Sequence, residues 1–205
     1  MTAVTLRDAA CPAVPYLRSL RRASWLWLGA SIFTSSLHAA IFWSPVIAAM
    51  ILAASATGLA AAAAIGLFRC TRRARWLSLL ACVLVATGGV QAVSITGSDS
   101  IDLTRLFAAQ LTLVLAQMLT TGVLYRMSAG LGDPRLANRA RQLASLAVVM
   151  TVLAFASFAT WILMPIIIAL ASLGILGLTA AMSFLCAREA GCLLHGGSPL
   201  TPERE

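Results

Sequence analysis

Residues 46–68 read VIAAMILAASATGLAAAAAIGLF, and residues 69–76 read RCTRRARW. The first stretch carries no charged side chain. As a helix rising 1.5 Å per residue it matches the roughly 30 Å hydrocarbon core of a bilayer. The second holds Arg69, Arg72, Arg73 and Arg75 and closes on Trp76, an aromatic residue of the kind enriched at membrane interfaces. Working outward from this pair, similar apolar stretches recur at residues 23–43, 76–96, 103–127, 143–163 and 166–187. Backbone groups in lipid must pair internally, and runs this long exclude the short alternating strands of a barrel. The expected fold is an all-α integral membrane protein: six transmembrane helices in three antiparallel hairpins, with both termini cytoplasmic.

Composition agrees. The chain is 60% hydrophobic and 11% charged, whereas about 25% charge is usual in a soluble domain. The net charge of +8 does not indicate nucleic acid, because the basic residues sit between the apolar stretches. Arg7, Arg18, Arg21 and Arg22 precede the first; Arg69 to Arg75 separate the second and third. Arg126, Arg135, Arg139 and Arg141 separate the fourth and fifth, and Arg188 and Arg204 follow the sixth. Only Arg105 lies near a connection on the other side. This positive-inside pattern places both termini in the cytoplasm. All 15 basic residues are arginine, a composition that fits a bacterial inner membrane.

The expected organisation is a cytoplasmic lead over residues 1–22, a transmembrane domain over 23–187 and a polar tail over 188–205. Pro12 and Pro15 argue against a regular helix in the lead. The first stretch exceeds the 7–15 residues of a signal-peptide core and is read as retained. Hairpin one turns at Trp43-Ser44-Pro45 and hairpin three at Leu163-Met164-Pro165, since proline stops one helix and opens the next. The turn of hairpin two, residues 97–102, offers Asp102, Asp99 or Ser100 as an N-cap. Residues 128–142 form the longest internal connection. The five cysteines include no CxxC motif and are read as free thiols. The entry Arg21-Arg22-Ala23-Ser24-Trp25-Leu26 parallels Arg72-Arg73-Ala74-Arg75-Trp76-Leu77. Arg139-Ala140-Arg141-Gln142-Leu143 is a looser copy, as in folds built from repeated hairpins.

Two groups of residues are candidates for function. Ala54, Gly58, Ala62 and Gly66 recur every four residues and form a small-residue ridge. Such ridges let helix backbones approach closely in lipid, so the second span is expected to be a central, tightly packed helix, or else to meet another protein or a second copy. His38, Gln91, Gln110 and Gln117 are the polar exceptions within the spans besides Ser and Thr. Depth arithmetic puts the first three in the outer third of the membrane, with Gln117 near the midplane on nearly the same face as Gln110. They are expected to converge in a polar cluster open to the outer side, either a solute or quinone-headgroup site or interhelical hydrogen bonding.

No catalytic constellation is legible: no HExxH, no GxSxG, no Walker A, no second intramembrane His for a bis-histidine haem. The sequence thus implies no enzyme, no catalytic residue, no metal and no cofactor. In gross layout the chain resembles the substrate-binding subunits of vitamin transporters and the permease halves of exporters, and layout does not fix function. The expected function is that of a non-enzymatic membrane subunit or assembly factor of a larger complex. The alternative is a small-solute permease, or the membrane component of a transporter, with an outward-facing polar site. The expected partners are the lipid bilayer and a protein partner or a homo-oligomer.

Overall fold

The computed structural model describes residues 13–69, 72–98, 103–131, 134–156 and 164–194. Six helices account for nearly all of them: α1 Ala13–Trp43, α2 Val46–Gly66, α3 Arg72–Thr96, α4 Leu103–Ala129, α5 Pro134–Ala156 and α6 Met164–Leu194, with a 3-10 turn Leu67–Arg69 after α2. Five of these, α2 to α6, are long and apolar enough to cross a membrane. α1 is 31 residues long but less apolar, and its composition explains why. Ser24, Ser31, Thr34 and His38 on α1 are all buried, so these polar groups face the bundle, while Arg18, Arg21 and Arg22 at its start and Ser36 are exposed.

Several boundaries differ from expectation. The lead is not irregular throughout: α1 begins at Ala13, and Pro15 lies in its first turn, where a missing N–H removes no helical bond. The connection after the fourth span is short, since α4 reaches Ala129 and α5 starts at Pro134. Residues 134–142 are therefore helix. The sixth helix runs to Leu194, which takes residues 188–194 out of the expected tail. The turn at Ser44-Pro45 falls where the sequence put it, with the Ser44 N–H donating to Ala40 and the Ala48 N–H to Pro45. Asp99, Ser100, Asp102 and Leu163 lie outside the described residues.

α1 packs against α2, α3, α4 and α6, and α4 packs against α1, α3, α5 and α6. These two form the middle of the bundle. Among the described residues α2 touches only α1, α3 and the 3-10 turn, and α5 only α4 and α6. The expectation that α2 is central is thus corrected: it lies at the periphery. Its buried face is Ala49, Ala56, Ala60, Ala63 and Ala64, while Ala54, Gly58 and Ala62 are exposed and Gly66 is half-buried. A Cβ added at Gly58 or Gly66 would meet nothing within 4 Å. The close approach is made elsewhere, by Gly89 of α3, whose added Cβ would lie 3.0 Å from that of Ala53.

Two apolar clusters close the ends. One surrounds Trp27 and gathers Leu20, Leu67, Leu124, Met127 and Ala190 at the arginine-rich end. The other joins Leu37, Ile41, Ala49, Ile95, Leu106 and Leu113 at the far end. The entry motifs share a burial register. Ala23, Ala74 and Ala140 are all buried, and so are Ala30, Ala81 and Ala147 seven residues on. The even helices also correspond: Ala56, Leu113 and Ile175 are buried, as are Ala60, Gln117 and Thr179.

Candidate functional site

Polar side chains collect where α1, α4 and α6 meet. On α1 they are Ser24, Ser31, Ser35 and His38; on α4, Gln110, Gln117 and Thr121; on α6, Ser172, Thr179 and Ser183. The spacings are three, four and seven residues, which keep each set on one helical face. The three faces together make a polar seam along the bundle.

At its far end His38 Nδ1 pairs with Gln110 Oε1. An amide oxygen only accepts, so Nδ1 carries the proton and Nε2 is the bare nitrogen. That nitrogen is buried with no hydrogen-bond partner. His38 is 5% exposed and Gln110 2%. One level further, Gln117 Nε2 donates to Ser35 Oγ at 2.5 Å. Ser172 Oγ donates to Gln117 Oε1 at 3.1 Å and lies 3.4 Å from Ser35 Oγ. The Thr121 and Thr179 hydroxyls meet at 3.2 Å; Thr179 donates to the Ile175 carbonyl, and the single Thr121 proton serves either Thr179 Oγ1 or the Gln117 carbonyl. Near the arginine-rich end the Cys186 thiol donates to the Leu124 carbonyl at 3.6 Å.

Of the sequence candidates, His38 and Gln110 come together, and Gln117 belongs to a separate network one level away. Gln91 is half-buried on α3, and its Oε1 is buried without a partner; no bond joins it to the His38–Gln110 pair. Among the described residues His38 is buried at the far end, beside Leu37, Ile41, Ile95 and Leu106. A shallow recess lies between α4, α5 and α6, lined by Gln110, Leu111, Val114, Ala154, Phe155 and Ile168. Its walls are apolar apart from Gln110, and His38 is not among them.

The sequence reading did not single out Ser172, Thr179 or Ser183. A signal was present in the matching spacing: Gln110, Gln117 and Thr121 on α4 are separated by seven and four residues, as are Ser172, Thr179 and Ser183 on α6. Among the described residues no group of three or more His, Cys, Asp or Glu side chains comes together to hold a metal. No known protein family, curated protein or solved structure matches the chain.

Proposed function

We propose that the chain is a non-enzymatic, multi-pass protein of a bacterial inner membrane, a subunit or assembly factor that packs against a larger complex. In this reading all six helices cross the bilayer, with both termini in the cytoplasm. The arginine distribution supports the orientation. The burial of Ser24, Ser31, Thr34 and His38 supports the insertion of α1 as a sixth span, since these polar groups are turned away from the lipid.

The observation that carries the subunit reading is the pairing of the membrane-buried polar side chains with one another. His38 bonds Gln110, Gln117 bonds Ser35 and Ser172, and Thr121 bonds Thr179. Such bonds join helices, at about 0.6 kcal/mol each on average. A solute site would instead turn its polar groups into a cavity, whereas the recess beside Gln110 is shallow and otherwise apolar. The exposed ridge of Ala54, Gly58 and Ala62 supplies a surface on which a partner helix can approach closely.

The test is purification of the tagged protein from its native membrane in mild detergent, with mass spectrometry of what stays bound. A stoichiometric membrane partner is expected. A partner ATPase would move the reading to the membrane component of a transporter. A clean homomer lacking any partner would count against the subunit role.

A further inference from the structure

We propose that the seam, between Trp27 and Ser31 of α1 and Ser183 of α6, binds a short file of internal water molecules. Trp27 and Ser183 are fully buried and Ser31 is 2% exposed. Yet Trp27 Nε1, Ser31 Oγ and Ser183 Oγ have no hydrogen-bond partner in the protein. An unsatisfied polar group in an apolar interior costs about 1–3 kcal/mol, so one such atom calls for an explanation and three on one seam call for a ligand. Several buried hydroxyls of the bundle are satisfied locally: Ser24, Thr34, Thr120, Thr151 and Thr179 each donate to the carbonyl four residues back, while Ser78, also buried without a partner, lies on α3 outside the seam. Ser31 and Ser183 make no such bond.

Burial at these positions does not itself require polarity. Gln117 and Thr121 on α4 correspond in burial register to Thr179 and Ser183 on α6, while the corresponding buried positions of α2 are Ala60 and Ala64. Helix α2 fills them with methyl groups; α4 and α6 carry hydrogen-bonding groups.

The spacing suits water. Ser35 and Ser172 meet at one level, and from there α1 and α6 run antiparallel towards the arginine-rich end. At 1.5 Å per residue Ser31 lies about 6 Å along, Trp27 about 12 Å and Ser183 about 16 Å. Successive levels are thus about 4–6 Å apart, the span that one water bridges with a hydrogen bond of about 2.8 Å on each side. The indole N–H only donates, and the serines donate and accept. Together with water they satisfy one another, in the manner of buried water in other proteins. The ligand is water because the flanking positions, Ala23, Ala30, Leu124 and Met182, are packed apolar side chains that offer no charge and no room for a larger solute.

The experiment is NMR on the full-length protein in lipid nanodiscs with ¹⁵N-labelled tryptophan. The chain has five tryptophans, and Trp27→Phe assigns the relevant indole signal. The expected result is magnetisation transfer from water to the Trp27 indole N–H and its exchange with deuterium within hours, despite its burial. In Ser183→Ala and Ser31→Ala the transfer should fall at least severalfold, whereas Thr121→Ala, which removes a hydroxyl already paired in the protein, should leave it unchanged. A Trp27 indole without water transfer, protected from exchange for days, overturns the proposal. So does transfer that persists unchanged in both serine variants. If the variants do not fold, the wild-type measurement decides alone.

Discussion

His38 and Gln110 are joined through Nδ1 of the imidazole, and that bond sets what a substitution does. Gln110→Leu removes the acceptor of the imidazole Nδ1–H and leaves both ring nitrogens of a buried side chain without partners. The expected cost is about 1–3 kcal/mol, read as a lower midpoint in thermal unfolding in detergent. Adding His38→Phe to Gln110→Leu should recover part of the loss, since two apolar groups facing one another leave nothing unsatisfied. Additive losses in the double variant would mean that the pair is not a unit. Ser172→Ala should be milder, because Gln117 keeps its bond to Ser35. The residue types of this pair were legible in the sequence as rare polar exceptions at similar depth. Their partnership with each other, and the exclusion of Gln91, depended on which faces α1 and α4 turn towards each other.

Glycines on neighbouring helices have opposite consequences. A Cβ at Gly89 of α3 would press on Ala53 of α2 at 3.0 Å. Gly89→Leu therefore forces the two helices apart, and overpacking of this kind costs about 1–3 kcal/mol. Gly58 is exposed and a Cβ added there meets nothing within 4 Å, so the Gly58→Leu monomer should unfold at the wild-type midpoint. If the α2 ridge is where a partner helix docks, Gly58→Leu should release that partner on co-purification while leaving the fold intact. A loss of monomer stability in Gly58→Leu would contradict the exposed placement of the ridge. The small-residue spacing was plain in the sequence, but its direction was not. A repeat of four residues describes a stripe and says nothing of which neighbour it meets. α2 has a second alanine-rich face in Ala49, Ala56, Ala60 and Ala63, and that face does the packing.

The bundle as a whole is sealed at the arginine-rich end by the cluster around Trp27 and at the far end by the cluster of Leu37, Ile41 and Leu106. Between them the seam runs along α1, α4 and α6. α2 and α5 have fewer neighbours, so partner contacts have most room there. Both termini are expected in the cytoplasm. Cysteine-free protein carrying single cysteines near residues 18 and 98 should be labelled by a membrane-impermeant maleimide only at the second site in intact cells. Labelling at the first site instead would reverse the orientation.

Composition and charge order determined the helical class, the number of apolar stretches and the rhythm of arginine between them. These follow from the solvent itself, because a bilayer dictates length and polarity residue by residue without reference to any contact. Helix ends were less legible at Ala13, Pro134 and Leu194. There α1, α5 and α6 continue past their apolar runs, and residues such as Leu17, Leu136 and Ala190 are buried against neighbours. The direction of each face was decided only by tertiary structure. In lipid an alanine ridge, a serine stripe and a leucine face are all tolerated at the surface, so which of them turns inward is settled by the helices they meet.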